Sequence, residues 1–328
     1  MEGIMEELAL GIDLGGSKIY AVITDPSNQV IADAKTATTP DAGPEKTVQA
    51  MKETAFAALE KQGLTLKDIR YCGAAIPSPV DPETGDCLRA VNLGWKNVSM
   101  AELMRKSFGR KFKLGNDGNL GQLGEHFAGA AREFHSSVGF FVGTGLGGGI
   151  IINNKLLVGK SGLAGEFGHI IIEAGGRRCG CGNRGCAEAY CSKKAFVKAL
   201  KKEVFKRGNP TTLSSDKFNE DTINIKSKYL VRAYRDDDRS VQKVVNKGLR
   251  MLGVAAASVT ATLAPQCIVL GGGFIEAMGE DALPPFTASF RNHLFGIEQK
   301  DIEIRLSELG DYAVAVGATI LARGTDKK

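Results

Sequence analysis

The strongest chemical signal in the sequence is a group of metal-ligating residue types between positions 165 and 190. Cys179, Cys181 and Cys186 are spaced as C-x-C-x4-C, and His169 precedes the first of them by ten residues. Three thiolates and one imidazole are a complete tetrahedral ligand set for Zn²⁺. Because four protein ligands leave no position open for water, we expect a structural zinc site. Reduced, partly buried cysteines or a redox pair are the alternatives, and disulfides are not expected in a chain with so few cysteines for its length.

Glycines and carboxylates accompany these ligands. Gly180, Gly182 and Gly185 stand between the cysteines, where they allow the tight turns that aim three sulfurs at one point. Glu166 and Glu188 flank the cluster on either side. The expected role of the zinc is therefore to hold in place a loop whose carboxylates and imidazole take part in chemistry beside it.

Length and composition exclude several classes of protein. The chain has 328 residues, 43% hydrophobic and 24% charged, which suits one large globular domain or two of average size. The net charge of +5 is mild, and the basic run 198–207 is typical of the solvated face of a helix, so no nucleic-acid partner is expected. No apolar run reaches the roughly 18 residues of a membrane span. The start of the sequence lacks the features of a secretion signal, which predicts a cytoplasmic location.

The chain opens with a glycine turn between short strands. The predicted strands are 8–12, 19–24 and 30–37, and the turn is 13–18 (DLGGSK). Its glycines let backbone N–H groups approach an anion closely, and Lys18 adds positive charge. The turn therefore predicts either a phosphate-binding site or a plain β-hairpin with a flexible tip.

A second glycine-rich turn, at 143–149 (GTGLGGG), follows the apolar strand 138–142. It matches the dinucleotide fingerprint G-x-G-x-x-G in form, but a β-branched strand follows it, and that fingerprint must open a helix. A P-loop at 159–161 is excluded because Asn154 occupies the position of its first glycine. The turn instead repeats the strand–turn–strand pattern of the opening. This repeat predicts a duplicated fold with a ligand between the halves.

Two further stretches could carry chemistry. Asp117 lies at the end of a strand and the start of a helix, in 116–119 (NDGN), where a helix N-cap is the simpler interpretation. The triplet Gly271–Gly273 lies between a buried strand and a helix, which would let a ligand approach the backbone.

Together these stretches resemble the ROK family (repressors, open reading frames, kinases) of the actin-like, hexokinase-type ATPase superfamily. The matching stretches are 13–18, 76–81 (IPSPVD), 116–119, 143–149, 165–170 (GEFGHI), 179–188 (CGCGNRGCAE) and 271–273 (GGG). They occur in order over nearly the whole chain, and the histidine–cysteine signature is specific to the family.

The resemblance implies an α/β chain with the two-domain, ribonuclease H-like fold of actin-like ATPases and an active-site cleft between the domains. Residues 1–118 plus 311–328 would form a small N-terminal α/β domain closed by the C-terminal helix. Residues 119–310 would form a large α/β domain that carries the zinc-binding segment 169–186. The resemblance also implies a homodimer.

The same resemblance assigns roles to individual residues. ATP phosphates would contact Asp13, Gly15, Gly16, Ser17, Lys18, Gly143, Thr144, Gly145, Gly147 and Gly148. The adenosine would lie near Gly271, Gly272 and Gly273. The sugar would be bound by Asn92, Asn116, Asp117, Glu166, His169 and Glu188, with Asp117 as catalytic base. Zinc would be held by His169, Cys179, Cys181 and Cys186, with one ring nitrogen of His169 on the metal and the other donating to a sugar hydroxyl.

The implied function is an ATP- and Mg²⁺-dependent sugar kinase that phosphorylates the 6-hydroxyl of a hexose, with glucose favoured. Kinases for N-acetylmannosamine, N-acetylglucosamine, mannose and fructose share nearly the same motifs, and polyphosphate is an alternative phosphoryl donor. A sugar-sensing regulator or a sugar-binding protein without catalysis is the other class. Regulators of the family carry an added N-terminal helix-turn-helix segment, for which a first strand near Leu8 is expected to leave no room.

Overall fold

The computed structural model describes residues 7–39, 42–90, 93–296 and 301–324. Its strands are β1 (Ala9–Leu14), β2 (Lys18–Thr24), β3 (Val30–Ala37), β4 (Tyr71–Ile76), β5 (Cys87–Ala90), β6 (Trp95–Val98), β7 (Lys113–Asn116), β8 (Ser137–Val142), β9 (Leu146–Ile152), β10 (Lys155–Leu156), β11 (Cys267–Gly271) and β12 (Glu303–Leu306). Its α-helices are α1 (Pro44–Glu60), α2 (Met100–Phe108), α3 (Asp117–Ala128), α4 (Glu188–Cys191), α5 (Lys193–Lys201), α6 (Ser227–Arg235), α7 (Arg239–Leu263), α8 (Ile275–Met278), α9 (Leu283–His293) and α10 (Ala313–Arg323).

The first sheet has the order β3-β2-β1-β4-β7. Strands β1 to β3 pair antiparallel, whereas β4 runs parallel to β1 and β7 parallel to β4. Side chains along β2 alternate between two cores, as the period of a strand requires: Ile19 and Ile23 belong to the core that includes Met51 of α1, and Val22 to the core that includes Val316 of α10. The sheet is therefore covered by helices on both faces.

Glycines in this sheet let the C-terminal helix approach its backbone. A Cβ on Gly11 of β1 or on Gly73 of β4 would lie 2.0 Å from a carbonyl oxygen of α10, that of Ala315 or Ala318. Contacts this short exclude any side chain at either position. As a result, α10 lies directly on β1 and β4. Asp13 lies near the carboxyl end of β1, and β4 leads into the loop after Ile76.

The second sheet has the order β10-β9-β8-β11-β12, with β9–β10 antiparallel and β11–β12 parallel. This order is the same permutation as in the first sheet, with β8 and β9 in the places of β1 and β2. The glycine turn 143–145 joins β8 to β9, just as 15–17 joins β1 to β2. The predicted duplication is confirmed by this topology.

Several elements differ from the sequence-based expectations. The basic run 198–207, expected to lie on a helix, spans the end of α5 and a π-helical turn at Lys202–Lys206. The antiparallel pair β5–β6 and the helices α6 and α9 were not predicted. Helix α9 carries prolines at 284 and 285, in its first turn, where the missing N–H groups cost no intrahelical hydrogen bond.

The chain divides into two compact units. One takes the described residues of 1–139, 149–165 and 308–328, and the other takes 140–148 and 166–307. Helix α3 belongs to the first unit because it packs closely on α10: a Cβ on Gly317 would lie 1.8 Å from the carbonyl oxygen of Leu120. The sequence-based division differs here, since it places residues after 118 in the large domain. Of the described helices, none combines the length and apolar character needed to cross a bilayer.

Candidate active site and metal centre

In the first unit, hydrogen bonds fix the conformation of the turn after β1. The N–H of Gly15 donates to the carbonyl of Lys18 at 2.9 Å, and the hydroxyl of Thr38 donates to the carbonyl of Gly15 at 2.8 Å. Gly16, Ser17 and Lys18 are exposed at the tip. A Cβ on Gly16 would meet nothing within 4 Å. The turn therefore presents accessible backbone and one cation on a fixed support, as an anion site requires.

The sequence did not predict two side chains near Lys18: Tyr20, which contacts Lys18, and Asp311, which contacts Tyr20. Its ammonium donates to the hydroxyl of Tyr20 at 3.3 Å, and that hydroxyl donates to Asp311 Oδ2 at 2.5 Å. Burial and the hydrogen bond to Asp311 raise the pKa of Tyr20 above its usual range. The available signal was the period of the strand: Lys18 and Tyr20 are two residues apart in β2, so their side chains lie on the same face.

Asp117 lies close enough to Asp13 to raise the pKa of Asp13. Burial first, and then the carboxylates of Asp117 and Asp311, raise the pKa of Asp13 to about 8. Burial also raises the pKa of Asp117, while its hydrogen bonds from Gly118 and Asn116 oppose that shift. Carboxylates with raised pKa values beside one another are typical of catalytic and cation-binding positions.

Asp117 is oriented by groups on both sides of it in the chain. Its Oδ1 accepts the N–H of Gly118 at 2.8 Å and the side-chain amide of Asn116 at 3.0 Å. The N-cap of α3 is Asn116, whose side chain accepts the N–H of Asn119 at 3.1 Å. Because Asn116 caps the helix, Asp117 is not needed for that role. One carboxylate oxygen is fixed by the protein, and the other can accept a substrate proton.

In the second unit, the triplet Gly271–Gly273 packs against Val142, the last residue of β8 before the turn 143–145. A Cβ on Gly272 would lie 2.7 Å from the backbone nitrogen of Val142, and Phe274 N–H donates to the carbonyl of Val142 at 3.0 Å. Two of the predicted nucleotide-binding stretches are thus adjacent. Gly147 and Gly148, predicted to contact phosphates, lie within β9 and not in the turn itself.

A cavity of about 200 Å³ adjoins this triplet. It is lined by Leu270, Ile275, Glu276, Gly279, Leu306 and Ser307. The lining combines aliphatic side chains with a few polar groups, as the lining of small-molecule sites generally does.

The predicted sugar-binding residues of this unit lie on one connected segment. Glu166 precedes a 3₁₀ turn at Phe167–His169, and Phe167 stacks on Phe140 with ring centroids 4.7 Å apart. Glu188 opens α4, and its Oε2 accepts the N–H of Leu146 at 3.0 Å. Asn92, also predicted to bind sugar, lies outside the described residues.

The four predicted metal ligands converge. The ligand atoms of His169, Cys179, Cys181 and Cys186 all lie within 4.8 Å of one another. Cys181 Sγ is 3.7 Å from Cys186 Sγ, and Cys179 Sγ is 3.9 Å from His169 Nδ1. Tetrahedral ligation with Zn–S bonds of about 2.3 Å requires sulfurs roughly 3.8 Å apart, so the donor set fits zinc in identity, number and spacing.

Two of the three glycines between the cysteines have the left-handed backbone conformation of a tight turn. Gly182 and Gly185 have φ values of 100° and 85°, which favour glycine, whereas Gly180 has no positive φ. A Cβ on Gly185 would lie 1.9 Å from the carbonyl of Glu173. His169 presents Nδ1 to the sulfurs, which leaves Nε2 as the nitrogen that can face a substrate.

Comparison with known proteins identifies the family. The sequence profile of the ROK family matches residues 9–325. A glucokinase of Streptomyces coelicolor is 29% identical over 326 residues, which cover 97% of this chain and 98% of the glucokinase. A xylose repressor of Caldicellulosiruptor bescii is 28% identical over 308 residues, which cover 94% of this chain and 76% of the repressor.

Solved structures agree with the sequence comparison. The crystal structure of a ROK family glucokinase from Streptomyces griseus in complex with glucose and AMPPNP matches with a TM-score of 0.82 and 31% identity, over 96% of this chain and 99% of that one. The predicted actin-like, ribonuclease H-like ATPase fold is confirmed by this match. The chain belongs to the ROK family.

Proposed function

We propose that this protein is an ATP-dependent hexokinase that transfers the γ-phosphoryl group to the 6-hydroxyl of a hexose, with glucose as the favoured substrate. The observation that carries the proposal is Asp117. It stands at the end of β7 with one oxygen held by Gly118 and Asn116 and with a raised pKa. A carboxylate of this kind can take the hydroxyl proton as the phosphoryl group arrives.

The relatives support this assignment through what they do and bind. The Streptomyces coelicolor relative is a glucokinase, and the Streptomyces griseus relative was solved with glucose and an ATP analogue. We propose that the same two ligands bind here. Glu166, His169 and Glu188 would contact sugar hydroxyls, with Asn116 and Asn92, and paired hydrogen bonds would reject sugars that lack a matching hydroxyl.

For the nucleotide, we propose that the exposed tip of the turn 15–18 and the turn 143–145 bind the phosphates. The cavity beside Gly271–Gly273 would accept the adenine. Mg²⁺, when bound with ATP, neutralises phosphate charge, and Asp13 is the carboxylate whose raised pKa marks a place for a cation. Lys18 supplies further positive charge from its hydrogen bond to Tyr20.

We also propose that His169, Cys179, Cys181 and Cys186 hold a structural zinc ion. Ala187 and Glu188 follow the last ligand directly, and Glu166 lies three residues before the first. A filled tetrahedral site would keep these two carboxylates in place for the sugar. The expected homodimer and cytoplasmic location remain predictions.

The test is a panel assay of the purified protein with ATP and Mg²⁺. Glucose, mannose, fructose, N-acetylglucosamine and N-acetylmannosamine are offered separately, and ADP release is followed. Polyphosphate replaces ATP in a parallel series. We expect the highest kcat/KM with glucose and ATP. An N-acetylated sugar as best substrate would keep the mechanism and replace the substrate.

A second candidate function is a sugar-responsive regulator, which the similarity to a xylose repressor favours. It predicts that sugar binds without turnover. Calorimetric binding of glucose or xylose together with no ADP release from any sugar would favour this candidate over the kinase.

A further inference from the structure

Glu188 contacts the glycine turn that is proposed to hold the phosphates. Its Oε2 accepts the backbone N–H of Leu146 at 3.0 Å. A Cβ on Gly145 would lie only 2.5 Å from the same oxygen. The half-buried carboxylate is therefore packed against Gly145, the last residue of the turn 143–145, and against Leu146, the first residue of β9.

The same segment of chain supports the turn at two further points. The N–H of Lys193, at the start of α5, donates to the carbonyl of Gly143 at 3.1 Å. Gly168 approaches so closely that its Cβ would lie 2.4 Å from the carbonyl of Leu146. Contacts from residues 168–193 thus hold the turn at both ends. Glu188 makes its contact through its side chain, whereas Lys193 and Gly168 make theirs through the backbone.

We infer that Glu188 is a positioning residue that couples sugar binding to the geometry of the phosphate-binding turn. The inference rests on the proposed function, in which Glu188 binds a sugar hydroxyl and the turn binds ATP. With Oε2 on Leu146, a hydroxyl can bind Oε1 without breaking that bond. The two ligands would then share one carboxylate.

The physical reason for coupling is the rigidity of the carboxylate plane. A hydroxyl that donates to Oε1 fixes the rotation of the carboxylate, and Oε2 is then held in line with the Leu146 N–H. The turn is ordered in the form that receives phosphate, so nucleotide binding has less ordering left to do. Such coupling is reciprocal, and typical values change affinity about 5- to 150-fold.

Two glycines of the turn give a matched pair of test variants. Gly145→Ala places a methyl group against Glu188 Oε2, and the flexible carboxylate must move away. Gly143→Ala adds the same methyl group in the same turn, but it meets nothing within 4 Å. Neither glycine has a positive φ, so alanine fits the backbone at both positions.

The experiment measures the Kd of a nonhydrolysable ATP analogue by calorimetry, with and without saturating glucose. In the wild type we expect glucose to lower this Kd at least about 5-fold, and in Gly143→Ala we expect the same ratio even where the added methyl group weakens binding of the analogue itself. In Gly145→Ala we expect glucose to change the Kd of the analogue by less than about 2-fold. Because coupling is reciprocal, the analogue should also change the glucose Kd of this variant by less than about 2-fold. Glu188→Asp keeps the charge but is too short to reach both partners, and we expect it to lose coupling as well.

The inference is overturned if Gly145→Ala and Glu188→Asp keep the wild-type coupling, or if the wild type shows none. Thermal unfolding identifies a variant that does not fold, and the other variant then decides. Wild-type protein that phosphorylates no sugar overturns the proposed function, and the inference with it. Wild-type turnover together with unchanged coupling in both variants overturns the inference alone.

Discussion

Replacing Asp117 with asparagine should abolish most turnover and leave the fold intact. An asparagine can keep its Oδ1 on the N–H of Gly118 and the amide of Asn116, so the side chain should stay in place. The other oxygen becomes an NH₂ group, which cannot accept a proton. General-base catalysis contributes about 10²- to 10⁴-fold, so kcat should fall by that factor, or by about 3 to 5 kcal/mol in the activation free energy.

The assay compares kcat by ADP release with the glucose Kd by calorimetry. The glucose Kd should change less than about 10-fold, because only one hydrogen bond to the sugar is altered. Asp25→Asn is the matched control, since Asp25 Oδ1 likewise accepts two N–H donors, here the backbone N–H groups of Ser27 and Gln29, in an exposed turn. A kcat of Asp117→Asn within about 5-fold of the wild type would refute the role of Asp117 as base.

Three other predictions follow from the same structure. The raised pKa of Asp13 favours its neutral form, so the contribution of Asp13 to the stability of the ligand-free fold is fully present below about pH 4 and is lost as the pH rises towards 8. Asp13→Asn should therefore unfold at a higher temperature than the wild type at pH 8 but not at pH 4, by about 1 to 3 kcal/mol given the partial exposure of Asp13; equal melting at both values would contradict this. Elemental analysis should find about one zinc per chain and much less in Cys181→Ser, and full activity in a metal-free sample would disprove the structural role. Glu125→Ala should lower the free energy of unfolding by about 3 to 5 kcal/mol in urea titrations, because the buried carboxylate accepts the N–H groups of Ala130, Glu308 and Leu309; an unchanged midpoint would disprove this.

Most of the strands could be predicted from the sequence because glycines mark the turns between them. The repeat of the turn 13–18 at 143–149 predicted two sheets of one topology, and the structure has them. The convergence of the four candidate metal ligands was also predictable, since the C-x-C-x4-C spacing and two positive-φ glycines leave the sulfurs few other arrangements. Local signals of this kind need no knowledge of which elements pack together.

Features that depend on packing were not predictable. Helix α9 begins with two prolines, a pattern that indicates a break unless the position of the first turn is known. Tyr20 and Asp311 are far apart in the chain, and only the packing of the C-terminal residues beside β2 makes Asp311 the acceptor for the Tyr20 hydroxyl that contacts Lys18. The bond from Leu146 to Glu188 likewise joins two motifs that the sequence presents as separate.

The reaction proposed for this protein is phosphoryl transfer from ATP to the 6-hydroxyl of a hexose. The most direct measurement incubates the wild-type protein with Mg²⁺, ATP and uniformly ¹³C-labelled glucose and follows the products by ³¹P and ¹³C NMR. We expect a single sugar phosphate with phosphorus coupled to carbon 6, formed in step with ADP. Phosphate on another carbon, or ADP and free phosphate with unmodified glucose, would contradict it.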